Sequence, residues 1–135
     1  MIGKKNVLCV LIVCTISILM SNDGYAERRY KPGEQLEIYK KEGKNLYRFW
    51  GLDYCLGYSK KIPGNTMVAN LLNEQEAILR NVGGKEALAE LKDYIDKNVE
   101  VKFRDLYFCI GMVYDSKEYQ DKVEQVMKKY CKECE

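Results

Sequence analysis

The chain has 135 residues, with 22 lysines or arginines against 20 aspartates or glutamates, and no histidine. A balanced charge without a basic stripe gives no support to nucleic-acid binding, and no acidic tail argues for a cationic ligand. Without histidine there is no Ser-His or Cys-His mechanism. No phosphate-cradling glycine loop, His-Glu-x-x-His or nucleophile elbow is present either, so the expectation is a non-enzyme with no cofactor and no metal.

Met1–Asn6 carries Lys4 and Lys5, Val7–Met20 is an uncharged run, and Ser21–Ala26 is polar and small. That order is the pattern of a secretory signal peptide cleaved after Ala26, and it predicts export. A membrane anchor is the alternative, but about 14 apolar residues fall short of the roughly 20 that span a bilayer. Cys9 and Cys14 leave with the signal, and the bulky Val13 makes Leu11-Ile12-Val13-Cys14 a poor lipoprotein site. No second apolar run follows, so no membrane span remains after cleavage. The remaining 109 residues, 20 of them basic and 19 acidic, suffice for one domain with a real core.

Glu27–Asn45 is polar and holds Pro32, Gly33 and Gly43; it reads as an arm that is partly ordered at best. Its Tyr30, Leu36, Ile38 and Tyr39 offer a means of docking on the body. Asn45 is the expected cap of a first helix, Leu46–Ser59, whose charges are only Arg48 and Asp53 and which should therefore be central. Lys60 to Gly64 ends it. Asn65 or Thr66 caps a second helix, Met67–Asn81, with Val68, Leu71, Leu72, Ile78 and Leu79 on its inner face, and Gly83-Gly84 breaks it. A third helix, Lys85–Lys97, turns Leu88, Leu91, Tyr94 and Ile95 inward. Its outer residues, Lys85, Glu86, Glu90, Lys92, Asp93, Asp96 and Lys97, form a mixed-sign face that by itself signifies solvent. After the connector Asn98–Val101, a fourth helix, Phe103–Tyr114, has only Arg104 and Asp105 as charges. Asp115, with Glu118 completing a capping box, opens a fifth, Ser116–Cys131, with Tyr119, Val123, Val126, Met127 and Tyr130 on one side. No stretch alternates like a strand. The predicted fold class is all-α, a compact bundle of about five helices over residues 46–135, stapled by at least one disulfide.

One pattern occurs twice: Phe-x-x-Leu-x-x-Cys-[Leu/Ile]-Gly, at Phe49–Gly57 and at Phe103–Gly111. At helical spacing its Phe, Leu and Leu/Ile share a stripe with the Cys at the edge. Four cysteines survive cleavage and allow three pairings. The repeat favours Cys55–Cys109, with Gly57 and Gly111 expected where the two helices approach closely; two free core thiols are the alternative. Cys131 and Cys134 sit at the end of a helix, where the dipole does not lower a thiol pKa, so a local disulfide is preferred over a redox or zinc site. An intermolecular bridge is the other use for them. Most tyrosines (Tyr54, Tyr94, Tyr107, Tyr114, Tyr119 and Tyr130) fall on or beside apolar faces and are expected in the core or at its boundary. Tyr47, Tyr54 and Tyr58 line the other side of the first helix with Trp50, where packing against a further helix is preferred over a second subunit.

The Phe49-Trp50…Cys55-Leu56 helix, the Gly83-Gly84 break and above all Phe103 to Tyr130, with Tyr114-Asp115-Ser116 between a Cys-bearing helix and an amphipathic one, resemble the fourth family of immunity proteins for type VI secretion amidases. The resemblance covers roughly Leu46 to Cys131; the polar arm and the terminal cysteine pair depart from it. It implies a small helical periplasmic protein that binds and blocks a peptidoglycan amidase effector, a Cys-His hydrolase of the peptide stem. It further implies a homodimer, with the third helix of one subunit and a loop of the other on the enzyme. By position these are Lys85–Lys97 and Asn98–Lys102, making Lys85, Glu86, Glu90, Lys92, Asp93, Asp96, Lys97, Asn98 and Glu100 the candidate partner-binding residues. The alternatives are an exported scaffold or binding protein without an enzyme target, and a small redox protein using Cys131 and Cys134.

Overall fold

The computed structural model describes residues 30–135; the expected signal peptide, with Cys9 and Cys14, lies outside them, as do residues 27–29. The first element overturns the arm. Helix α1 runs unbroken over Pro32–Leu56, with Pro32 in its first turn and the Lys31 N–H donating to the Glu34 carboxylate at 2.9 Å. Asn45 is therefore mid-helix and caps nothing. Tyr39, Gly43, Leu46, Tyr47, Gly51 and Cys55 recur every three or four residues and are buried. Sinking that face outweighs the roughly 1 kcal/mol that glycine costs inside a helix. The helix stops at Gly57 rather than Ser59. Gly57 takes a left-handed φ of 61°, and its N–H and that of Tyr58 bond the carbonyls of Tyr54 and Asp53.

Thr66 caps α2 (Met67–Ile78), its Oγ accepting the Ala69 N–H at 3.2 Å. The chain continues through a π-helical turn, Leu79–Gly83, and breaks at Gly84, φ 90°. Val68 and Leu71 are exposed, contrary to expectation, because α2 seats on the body through Ala69, Ile78 and Leu79 instead. Helix α3 (Lys85–Asn98) buries Ala87, Leu88, Leu91 and Ile95 and half-buries Tyr94, much as its periodicity predicts. The expected fourth helix is three short pieces: a 3₁₀ turn Val101–Phe103, helix α4 over Leu106–Cys109, and a π turn Ile110–Tyr114. Helix α5 (Lys117–Tyr130) is capped by Ser116, not Asp115. The Ser116 hydroxyl accepts the Tyr119 N–H at 3.2 Å and donates to the Glu118 carboxylate at 3.1 Å. A last 3₁₀ turn covers Lys132–Cys134.

The result is the predicted all-α bundle, without a strand among the described residues, and α1 is its hub. No helix among those residues is long and apolar enough to cross a membrane. Three tyrosines fix the centre. Tyr119 donates to the Tyr47 carbonyl at 2.8 Å, and the hydroxyls of Tyr39 and Tyr47 meet at 3.0 Å. Burial pushes the Tyr47 and Tyr119 phenols far up, so both are neutral. The close approaches that need glycine are at Gly51, against the Tyr119 hydroxyl, and Gly83, against those of Tyr47 and Tyr39. Gly57 and Gly111 have nothing within contact range of an added methyl, so the expected close approach there is absent.

The disulfides are Cys55–Cys109, with Cα atoms 5.9 Å apart, and Cys131–Cys134, at 5.5 Å. The first ties the end of α1 to α4, closing a separation of 54 residues. In the chain-entropy account that is worth about 4 kcal/mol. The second is a local staple that closes the C-terminal turn.

Candidate partner-binding surface

The charged face of α3 divides into bound and free parts. Glu90 accepts from Lys122 at 2.6 Å, Lys129 at 2.8 Å and the Tyr130 hydroxyl at 2.9 Å, joining α3 to α5. Those three donors hold its carboxyl down at about 2. Burial pushes the Asp96 carboxyl up, but hydrogen bonds from Arg104 (2.8 Å) and the Tyr54 hydroxyl (2.9 Å) outweigh it and keep it below the usual range. Asp93 pairs with Lys97 on the same helix at 2.6 Å, and Glu100 with Lys102 at 2.8 Å. Glu90 and Asp96, expected to meet a partner, are thus engaged by the scaffold itself. Lys85, Glu86, Lys92 and Asn98 remain exposed and outside any ion pair among the described residues.

The turn after α3 is built differently. Arg104 folds back on α3: its Nε and Nη2 donate to the Val99 carbonyl at 3.1 and 3.0 Å, while Nη2 also reaches Asp96. A guanidinium is suited to this, bringing several donors and a positive charge to a helix C-terminus. One residue on, Asp105 caps α4, its Oδ1 accepting the Phe108 N–H at 2.8 Å. Cys109, fully buried, then bolts the segment to α1.

Between and beside these latches stand exposed apolar side chains, of which Phe103 packs on Phe108 with ring centroids 5.8 Å apart. Val101 is 77% exposed, Phe103 48%, Leu106 59% and Tyr107 90%. The repeat pattern placed Phe103 and Leu106 on a core stripe and Tyr107 at the core boundary, and both expectations fail. Because Arg104 and Asp105 redirect the backbone, only Cys109 of the second copy is fully buried. Phe49, the opening residue of the first copy, is also 45% exposed, resting on Tyr114 with ring centroids 5.2 Å apart. The expected contact loop Asn98–Lys102 and this apolar turn are contiguous, so four large apolar side chains, from Val101 to Tyr107, lie beside the C-terminal end of α3, where Asp93, Asp96 and Lys97 are paired and Asn98 is in no ion pair among the described residues. Exposed apolar residues close together in the chain make this turn a candidate interaction surface.

The aromatic side of α1 is divided too. Tyr47 is fully buried, Trp50 and Tyr54 are half-buried and stacked with centroids 5.6 Å apart, and Tyr58 is exposed. No group of three or more Cys, Asp or Glu side chains among the described residues is arranged to hold a metal ion. The four cysteines of these residues are all in disulfides, which leaves no thiolate for nucleophilic chemistry. The surface offers shape, apolar area and charge. No protein-family model, curated protein or solved structure matches the chain.

Proposed function

We propose that this protein is an exported inhibitor of a cell-wall hydrolase, an immunity protein that binds a type VI secretion peptidoglycan amidase in the periplasm and protects the producing cell. The observation that carries the reading is the latched turn Val101–Tyr107, whose exposed apolar side chains begin in, and continue directly after, the loop Asn98–Lys102 that the family resemblance puts on the enzyme. Two disulfides suit an oxidising compartment. Docking is by the apolar turn, with Asn98 and the Asp93–Lys97 pair of the adjoining end of α3 at its rim.

The test is to look for a peptidoglycan amidase gene beside this one, co-purify its product with this protein and measure its cell-wall cleavage. The protein is expected to form a complex and abolish cleavage. Leu106→Ala with Tyr107→Ala should raise the concentration needed for inhibition at least about tenfold, as truncating a central aromatic anchor does. A partner amidase that neither binds nor slows rejects the reading.

A further inference from the structure

A groove of about 470 Å³ lies between the end of α1, α2 and the first turns of α3. Its apolar wall is the Trp50–Tyr54 stack, nearly parallel at 8°, with Leu88. Its charges are lopsided in what they are free to do. Of the acids, Asp53 already accepts the Ser59 N–H at 2.8 Å, and Glu76 is paired with Arg80. The cations Lys60, Lys85 and Lys92 have no ion-pair partner among the described residues, and Lys92 is poised 5.7 Å from the Tyr54 ring centre. Lys85, Leu88 and Lys92 are one face of α3, spaced by three and four, so the helix itself aligns charge and apolar wall along the groove. All three lysines are exposed, so the groove is open to solvent along its rim. That suits a length of polypeptide better than a small molecule, which a pocket mostly encloses.

We infer that this groove binds an acidic segment of a partner polypeptide, an apolar side chain of the segment lying on the Trp50–Tyr54 stack and its carboxylates meeting Lys60, Lys85 and Lys92. The inference does not depend on the amidase reading. It uses Lys85 to Lys92 of α3, whereas the apolar turn follows the end of that helix; Tyr54, which bonds Asp96 beside Arg104, lies between the two.

Trp50 is the only tryptophan of the chain, so its emission reports on the groove directly. The experiment titrates the whole protein with a short synthetic peptide alternating Glu with Leu and Phe, and with the same peptide carrying Gln for every Glu. The Glu peptide should change Trp50 emission saturably, with a dissociation constant of about 10–100 µM, and the Gln peptide should not. Added salt should weaken binding. Lys85→Glu with Lys92→Glu should weaken it at least about tenfold, and Lys85→Gln with Lys92→Gln should have an intermediate effect, with circular dichroism showing both variants folded. Four results overturn the proposal: no saturable change up to about 1 mM peptide, equal binding of the Gln peptide, folded variants with unaltered affinity, or stronger responses to phosphatidylglycerol vesicles or single-stranded DNA. The amidase test reads Leu106 and Tyr107, which do not line the groove, so either proposal can fail alone.

Discussion

Phe49–Gly57 and Phe103–Gly111 carry the same spacing of Phe, Leu, Cys and Gly, and the molecule folds them differently. The first copy is the last part of a 25-residue helix, ending in a left-handed glycine. The second is divided among a 3₁₀ turn, a four-residue helix and a π turn. What precedes each copy accounts for this. The Tyr39–Tyr47 face of α1 has already set the helix on the core when the chain reaches Phe49. Before Leu106, Arg104 has turned the backbone onto the Val99 carbonyl, and a new helix must start at Asp105. A shared cysteine spacing therefore specifies a covalent anchor, while neighbours in the chain decide whether the apolar residues beside it are buried or presented.

The largest test of that comparison is the anchor. Cys55→Ser and Cys109→Ser should each cost about 4 kcal/mol, a fall in Tm of roughly 15–30 °C followed by circular dichroism. Markedly unequal losses would show that the two copies do not serve one staple. Loss of Cys131–Cys134, which spans three residues, should cost about 2 kcal/mol or less.

Next comes the joint that fixes α3. The Glu90 carboxyl, at about 2, lies below its ordinary 4.5. Its contribution is therefore complete above about pH 4.5 and is lost as pH falls through about 2. Glu90→Gln should cost about 1–2 kcal/mol at neutral pH, allowing for solvent screening, and the urea-unfolding stabilities of variant and wild type should converge toward pH 2. The glycines of the two copies should then part company. Gly57→Ala forces a methyl into a left-handed conformation and should cost about 1 kcal/mol, whereas Gly111→Ala meets no neighbour and should be neutral or stabilising by up to about 1 kcal/mol. Smallest is the presented face: Tyr107→Ala should change stability by less than about 0.5 kcal/mol, while Phe49→Ala, losing its packing on Tyr114, should cost about 1 kcal/mol.

Much of the frame was legible in the residues. The α3 and α5 stripes, the Thr66 cap, the Gly84 break and the Cys55–Cys109 pair all follow from period, cap chemistry and paired context. The extension of α1 back to Pro32 was hidden by Gly33, Gly43 and dense charge, although Tyr39, Leu46 and Tyr47 already lay on one face. The apolar turn was hidden for the opposite reason, since helical spacing from Phe103 to Ile110 reads as a buried stripe until Arg104 is seen to break it. The charges of α3 were visible as a set. Which of them the scaffold engages was not, because Lys122, Lys129 and Tyr130 reach Glu90 from more than 30 residues away in the chain.

The place of α1 at the hub has a consequence for the order of events during folding. Part of its inner face is covered from α5: Tyr119 closes on Tyr47 and Gly51, Met127 on Gly43, and Lys44 bonds Glu124. A chain emerging N-terminus first can seat Tyr39 and Tyr47 against Gly83 once α2 and the π turn have formed, but Gly51 and the Tyr47 carbonyl wait for Tyr119 of α5. Completion of the core at Gly51 and Gly43 is therefore timed by α5.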